Sequence, residues 1–175
     1  MANYVSVAKP TAANAGLPNK PQQDITFISV GDIDTFPAVG ADGITYTGNI
    51  VLKAGAKAFT IYGTLGTFEV TSPSEGDPDN KGFIPQLVFN HPGNEIEIRQ
   101  FKARALNDNF IIILDYCKGN GIRDILGTPC NPMQPQLSYT NNNDSNVNQM
   151  TFAQAGKGND IGIFSGDITE TSVTP

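Results

Sequence analysis

Phe83-Ile84-Pro85-Gln86-Leu87-Val88-Phe89 is a short apolar strand; a Pro92-Gly93 turn follows, and then the amphipathic run Asn94 to Asn107. A second apolar strand comes next, Phe110-Ile111-Ile112-Ile113-Leu114, and the turn Lys118-Gly119-Asn120-Gly121 leads to Ile122-Arg123-Asp124-Ile125-Leu126-Gly127. The middle of this run is the one convincing helix of the chain. Asn94 is a residue type that caps helix N-termini, and Glu97, three positions on, completes a capping-box-like pair. Glu95 and Glu97 suit the positive end of a helix dipole, and Arg99, Lys102 and Arg104 lie further along. Ile98, Phe101 and Ala105 make one apolar stripe at three- and four-residue spacing, with Leu106 beside it. The expectation is a single helix near 95–107, packed on a sheet through that stripe.

Outward from this run the chain reads as strands and turns. Asp24 to Val30 puts Ile25 and Phe27 on one face and Thr26, Ile28 and Val30 on the other, and Gly31-Asp32-Ile33-Asp34 turns it. Ala41-Asp42-Gly43 is a hairpin-type turn signal. Ile44 to Lys53 is a strand that alternates poorly; Lys57 to Tyr62 alternates, with Phe59 and Ile61 opposite Ala58, Thr60 and Tyr62. Thr67 to Thr71, Gln136 to Thr140, Val147 to Gln154 and Ile161 to Ile168 are further strands, and Asn141 to Asn146 is a polar loop. Ser72-Pro73-Ser74-Glu75-Gly76-Asp77-Pro78-Asp79-Asn80-Lys81-Gly82 consists of residue types that favour turns or solvent, so it reads as a long exposed loop. Loops of that length in compact domains often carry function.

Residues 4–23 hold Lys9-Pro10, Leu17-Pro18 and Lys20-Pro21, whose prolines deny both helix and sheet ladder. The organisation expected is an extended arm over 1–23, one domain over 24–168 and a polar tail over 169–175. The sum is mainly β: eight to ten short strands in a β-sandwich or barrel, one flanking α-helix, and extended terminal arms.

A chain of 175 residues suits one domain with a core that needs no disulfide. Net charge is −6 and no basic stripe occurs, which argues against a protein that grips phosphates. Cys117 and Cys130 have no CxxC spacing and no accompanying histidine pair, so they make no metal signature; the expectation is two buried free thiols rather than a disulfide. Met1-Ala2-Asn3-Tyr4 shows no secretory pattern, and no apolar stretch approaches the roughly 20 residues of a membrane span.

Chemistry is thin. His91, the only imidazole, precedes a proline at a strand end, a setting that suits a structural histidine. No serine sits in a GxSxG context, and there is neither a Walker loop nor a GxGxxG. Asp77-x-Asp79 starts like a calcium loop and has Gly82 in sixth place, but Val88 stands where the twelfth-position glutamate belongs. A solvated loop accounts for these carboxylates, and helix capping accounts for Glu95 and Glu97. The reading is of a non-enzyme with no catalytic, cofactor-binding or metal residues.

The layout resembles the tail tube proteins of long-tailed bacteriophages, and through them the tube proteins of contractile injection systems. The resemblance is carried by an order of elements. The loop-bearing hairpin Gly66 to Phe83 comes first, then Leu87-Val88-Phe89 with His91-Pro92-Gly93 and the single helix. Phe110 to Tyr116, Gly121 to Gly127 and the Pro-marked connection Pro129 to Pro135 follow, and Met150-Thr151-Phe152 and Ile163-Phe164-Ser165-Gly166 close it. It implies hexameric rings whose inner sheets join into a continuous wall around a channel. It makes Ser72–Gly82 the inter-ring loop and residues 4–23 and 169–175 the arms. The implied partners are other copies of the chain, further virion tail proteins and DNA that passes without sticking; no membrane is involved. The implied location is the virion, assembled in the host cytoplasm.

Six copies at −6 would carry −36 per ring, and the expectation is an acidic channel that repels phosphates, so that DNA slides without adhering. Plain solubility explains −6 equally well. Two other readings stay open: a capsid-decorating or head–tail joining virion protein, and a carbohydrate-binding β-sandwich. The absence of Trp lowers the last.

Overall fold

The computed structural model describes residues 4–9, 16–117 and 121–171. In chain order its elements are β1 (Asp24–Ser29), β2 (Ile33–Thr35), β3 (Thr45–Tyr46), β4 (Ile50–Leu52), β5 (Phe59–Tyr62), β6 (Glu69–Thr71), β7 (Ser74–Glu75), β8 (Gly82–Phe83), β9 (Gln86–Pro92), α1 (Ile96–Ala105), β10 (Phe110–Leu114), β11 (Arg123–Leu126), β12 (Met133–Asn141), β13 (Asn146–Gln154), β14 (Gly162–Phe164) and β15 (Ile168–Glu170). The fold is mainly β and sandwich- or barrel-like, with one helix.

β10 organises it. A continuous run of aromatic and β-branched residues suits a strand covered on both faces, and all five residues of β10 are buried. Phe110, Ile112 and Leu114 point into a first core with Phe27, Leu87, Phe89, Met150 and Phe152. Ile111 and Ile113 point into a second core with Ile28, Ile50, Leu52, Ile125 and Phe164. β1 divides in the same way: Ile25 and Phe27 serve the first core, Ile28 the second.

The main sheet runs β3-β14-β11-β10-β12-β13-β9-β6, and β1 pairs with β10 and β5 on the other side of β10. Its pairs are antiparallel except β14 with β3. The sheet curls round the first core: Thr64 N donates to Asn90 O at 2.8 Å, and His91 Nδ1 donates to Tyr62 O at 2.8 Å, which brings the end of β5 beside β9. The carbonyl can only accept, so it fixes the proton of neutral His91 on Nδ1. A three-stranded sheet, β15-β4-β2, covers the second core.

Phe27 centres the first core, with ring centroids of Phe152, Phe59, Phe110 and Phe89 at 4.9, 5.7, 6.0 and 6.4 Å. Such pairs add about 0.5–1.5 kcal/mol each beyond burial. α1 closes this core with Ile98 and Ala105 buried and Phe101 packed against it, so the expected stripe is the face that packs.

The ends of the helix differ from expectation. The N-cap position is Glu95, with no side-chain capping bond, and the helix stops at Ala105. Asn94 is drawn off by Arg99: Arg99 Nε donates to the Asn94 backbone carbonyl at 2.9 Å, and the Asn94 amide, its oxygen turned to the guanidinium, accepts from Arg99 Nη2 at 3.0 Å. A charge-assisted donor outcompetes a backbone N–H for that oxygen, so no capping box with Glu97 forms. Leu106 is 65% exposed and lies off the stripe.

Other boundaries shift too. The run Ile44 to Lys53 splits into β3 and β4, and Ile161 to Ile168 into β14 and the start of β15. β15 carries order to Glu170, and Thr171 N donates to Leu52 O at 2.8 Å, so the first residues of the presumed tail belong to the second sheet. Residues 172–175 lie outside the described residues. Cys117 and Cys130 are free, as expected, but exposed rather than buried.

Candidate assembly surface

β12 and β13 form the longest pairing, Met133↔Gln154 through Asn141↔Asn146. Among the described residues, only the root of β12 touches a second strand, at Phe110↔Met133. The phase of the ladder follows from two bonds: Asn142 N donates to Ser145 O at 2.9 Å, and Gln154 N reaches Pro85 O at 3.3 Å. Even-numbered residues of β12 therefore bond to β13, while Pro135, Leu137, Tyr139 and Asn141 direct their backbone groups outward. Pro135 sits where no ladder N–H is needed, as a proline in a strand must. The outer half of β12 is thus an open edge. It has no Lys, Asp or Glu from Gln134 to Asn141, although such charges are the usual protection against strand addition.

The same sheet has another open side. β6 pairs with β9 through Glu69↔Val88 and Thr71↔Gln86 and turns the backbone of Val70 away. In β6-β9-β13-β12 the two open edges, β6 and β12, lie on opposite sides.

The faces of this sheet are unlike. One carries Leu87, Phe89, Met150 and Phe152 into the first core. The other presents Gln136, Ser138 and Thr140 from β12, Gln149 and Thr151 from β13, Gln86, Val88 and Asn90 from β9, and Glu69 and Thr71 from β6. It holds one carboxylate and no cation. On the core side of β12, Lys102 Nζ stands 4.9 Å from the Tyr139 ring centroid and donates to Asn148 Oδ1 at 2.5 Å; burial lowers the pKa of Lys102.

Ser72 to Gly82 is a small hairpin rather than a plain loop. Ser74↔Phe83 and Glu75↔Gly82 pair β7 with β8, and Gly76 to Lys81 form an exposed tip with Asp77 and Asp79 on it. Gly76 has φ 123°, and a Cβ there would collide with Asn80 O, so only glycine fits. The base is pinned: Phe83 and Gly158 exchange two backbone bonds of 2.9 Å, Ile84 N donates to Pro73 O at 3.0 Å and Ser72 Oγ to Asp160 Oδ1 at 2.5 Å. The tip is tied back as well, with Lys157 Nζ donating to Asn80 O at 2.9 Å.

The arm has an equally definite root. Gln22 N donates to Asp115 O at 2.7 Å and Cys117 N to Lys20 O at 3.0 Å, while Pro21 bridges to Tyr116. Tyr116 Oη donates to Asp124 Oδ2 at 2.5 Å; burial raises the pKa of both groups. Tyr4 to Lys9 are exposed throughout and belong to no strand.

The structure does not bring the hairpin residues Ser72–Gly82 and the helix residues Ile98, Phe101 and Ala105 into one site; the former form a projection and the latter a packing face. The open edge of β12 is missing from the sequence reading. One signal for it was present, since Pro135 directly before a strand-like stretch marks an edge. No family model, curated protein or solved structure matches the chain.

Proposed function

We propose that the chain is a structural virion protein, a tail tube subunit that assembles into stacked, sixfold rings around a channel for DNA. The observation that carries the reading is the unprotected open edge of β12. An edge of this length without charges is a template for another strand. The second open edge, β6, lies on the opposite side of the same sheet. Two different edges permit head-to-tail pairing, and head-to-tail pairing closes into a ring when the rotation fits.

In such a ring the polar face of β6-β9-β13-β12 becomes the wall of the channel. With no Lys or Arg on it and Glu69 as its carboxylate, it offers phosphates no cation to hold them. This is a weakly acidic wall; the bulk of the −6 net charge lies elsewhere. The Ser72–Gly82 hairpin then serves as the contact between rings, its exposed tip held in place by the pinned base and by Lys157.

Negative-stain microscopy of the purified protein tests the proposal. The expected result is rings or tubes of about sixfold symmetry. A monodisperse monomer or trimer that decorates empty capsids would favour the capsid-decorating reading instead.

A further inference from the structure

We propose that the hairpin apex Asp77-Pro78-Asp79 of one copy docks on Arg99 and Lys102, at the start of α1, on a second copy ahead of it. This rests on the reading of the Ser72–Gly82 hairpin as the contact between rings and names the surface that the hairpin meets.

The apex holds carboxylates that the subunit itself does not use. Asn80 N donates to Asp77 O at 3.0 Å, which closes a turn with Pro78 and Asp79 at its centre. Asp79 has φ 66°, the left-handed region where such a turn usually takes glycine or asparagine. Both aspartates are exposed, and neither carboxylate has a partner among the described residues. Glu75, Asp77 and Asp79 against Lys81 leave the hairpin at −2. Lys157 is spent on the backbone carbonyl of Asn80.

The start of α1 has the complementary want. Among the described residues Arg99 and Lys102 hold only neutral groups, Arg99 the carbonyl and amide of Asn94 and Lys102 the amide of Asn148. Burial, and then the charge of Arg99, lower the pKa of Lys102, so two cations repel here with no anion between them. A carboxylate brought to them relieves that repulsion. Glu95, one turn before Arg99, makes no ion pair with it, and Glu97 lines the groove between α1 and β5. Ile96, 65% exposed on the first turn, offers Pro78 an apolar contact.

Topology selects a second copy. β7 and β8 continue the β6–β9 ribbon past Thr71↔Gln86, so the apex lies beyond the Gln86 end of β9. Arg99 and Lys102 belong to the Pro92 end: Asn94 follows Pro92 by two residues, and Asn148 pairs with His91. The seven residues of β9 put about 20 Å between these ends, before the length of the hairpin is added. The pinned base keeps the apex from folding back over that distance. Lateral neighbours in a ring share one orientation, so the copy that presents Arg99 to the apex is the one ahead along the strands.

The test reverses the apex with Asp77→Lys and Asp79→Lys together in the full-length protein, alone and combined with Arg99→Glu. Sedimentation velocity reads end-to-end association, microscopy reads rings, and melts show that each variant is folded. The reversed apex should leave rings and melts unchanged and raise the concentration needed for end-to-end association by about tenfold or more, because many weak charge pairs act together. Adding Arg99→Glu should restore the wild-type value. An unchanged threshold, or no restoration in a triple variant that melts like the wild type, overturns the proposal. A second measurement does not depend on Arg99→Glu folding. A benzophenone amino acid at position 80 keeps the backbone tie to Lys157, and ¹⁴N- and ¹⁵N-labelled proteins are mixed, irradiated and mapped by mass spectrometry. Cross-links from position 80 to residues 94–102 in mixed-isotope pairs are expected; cross-links elsewhere, or none, overturn the proposal. Failure of the tube reading is separate. End-to-end chains that are lost and restored as expected, but show no rings, sink the tube and leave the docking standing. Rings that stack undisturbed by the reversed apex sink the docking alone.

Discussion

Tyr139→Pro should weaken ring assembly, raising the concentration at which rings form about sevenfold, while leaving the subunit folded. The N–H of Tyr139 points away from β13, in the phase that Pro135 already occupies, so proline there removes no bond of the β12–β13 ladder. What it removes is one bond to an incoming strand, worth about 1 kcal/mol net. A hexameric ring has six such interfaces, so the loss is about 6 kcal/mol per ring, roughly four decades in the assembly constant at about 1.4 kcal/mol per decade. Tyr139→Ala is the control, since it loses the same ring but keeps the N–H. Both variants forfeit the contact of Lys102 with Tyr139, 4.9 Å in the native chain. That contact is worth about 0.5–1 kcal/mol at an exposed site, a fall of about 1–4 °C in Tm for a chain this size. The assay is sedimentation velocity with thermal melts on the same samples. Equal melts are expected, with Tyr139→Ala forming rings at the wild-type threshold and Tyr139→Pro only at about sevenfold higher concentration. An unchanged threshold for Tyr139→Pro would refute the reasoning.

Three further outcomes follow from other parts of the molecule. Deleting Ser74–Lys81 should leave rings intact and abolish stacking, read by microscopy; stacking unchanged would remove that hairpin from the inter-ring contact. Phe27→Ala empties the centre of the first core, where Phe27 is 0% exposed, and should cost about 3–5 kcal/mol, lowering Tm by about 6–20 °C; a fall under 3 °C would mean the core collapses freely round the gap. Asp124→Asn addresses pH. Burial holds the folded pKa of Asp124 above the ordinary aspartate value of 3.8, so the native state binds this proton more tightly than the unfolded chain. The stability tied to that proton is complete below the unfolded value and is lost as pH rises through the folded one. Asn keeps an acceptor for Tyr116 Oη without the charge. The variant should therefore gain on the wild type as pH rises from 4 to 7, measured by urea midpoints; parallel midpoints across that range would contradict it.

The first core was legible in the sequence because its signals are local. The three- and four-residue spacing of Ile98, Phe101 and Ala105 needs nothing beyond one helix, and the alternation of Ile25 and Phe27 against Ile28 needs only one strand. The cap at Asn94 failed because its competitor, Arg99, is a side chain whose reach the capping pattern does not describe. The second core was less legible. Its sheet joins β15 to β4, more than 100 residues apart, in a parallel pair, Ile168↔Ile50, and short strands paired over that distance leave no period to read. The open edges were invisible for a related reason. An edge is defined by the strand that is missing, and the partners of β12 and β6 depend on the whole order of the sheet. Pro135 was the one local trace of it.

Two open edges raise a question that one would not: closed dimer or ring. An antiparallel pairing of β12 with β12 about a twofold axis through Tyr139 would also cover that edge, and would end assembly at two copies. It would leave the outward backbone of Val70 uncovered. Pairing β12 of one copy with β6 of the next covers both edges, and each copy then offers what its neighbour lacks. Val70→Pro separates the cases, since it blocks β6 through an outward N–H and leaves β12 intact. In the ring mode Val70→Pro alone is monomeric at the wild-type ring threshold, as is Tyr139→Pro alone. A mixture of the two yields one productive interface, between β12 of the first variant and β6 of the second, and so stops at a heterodimer. In the twofold mode Val70→Pro still forms homodimers, and mixing adds nothing. Sedimentation of the three samples, with melts to show that each variant is folded, decides between them; homodimers of Val70→Pro would replace the ring with a twofold assembly.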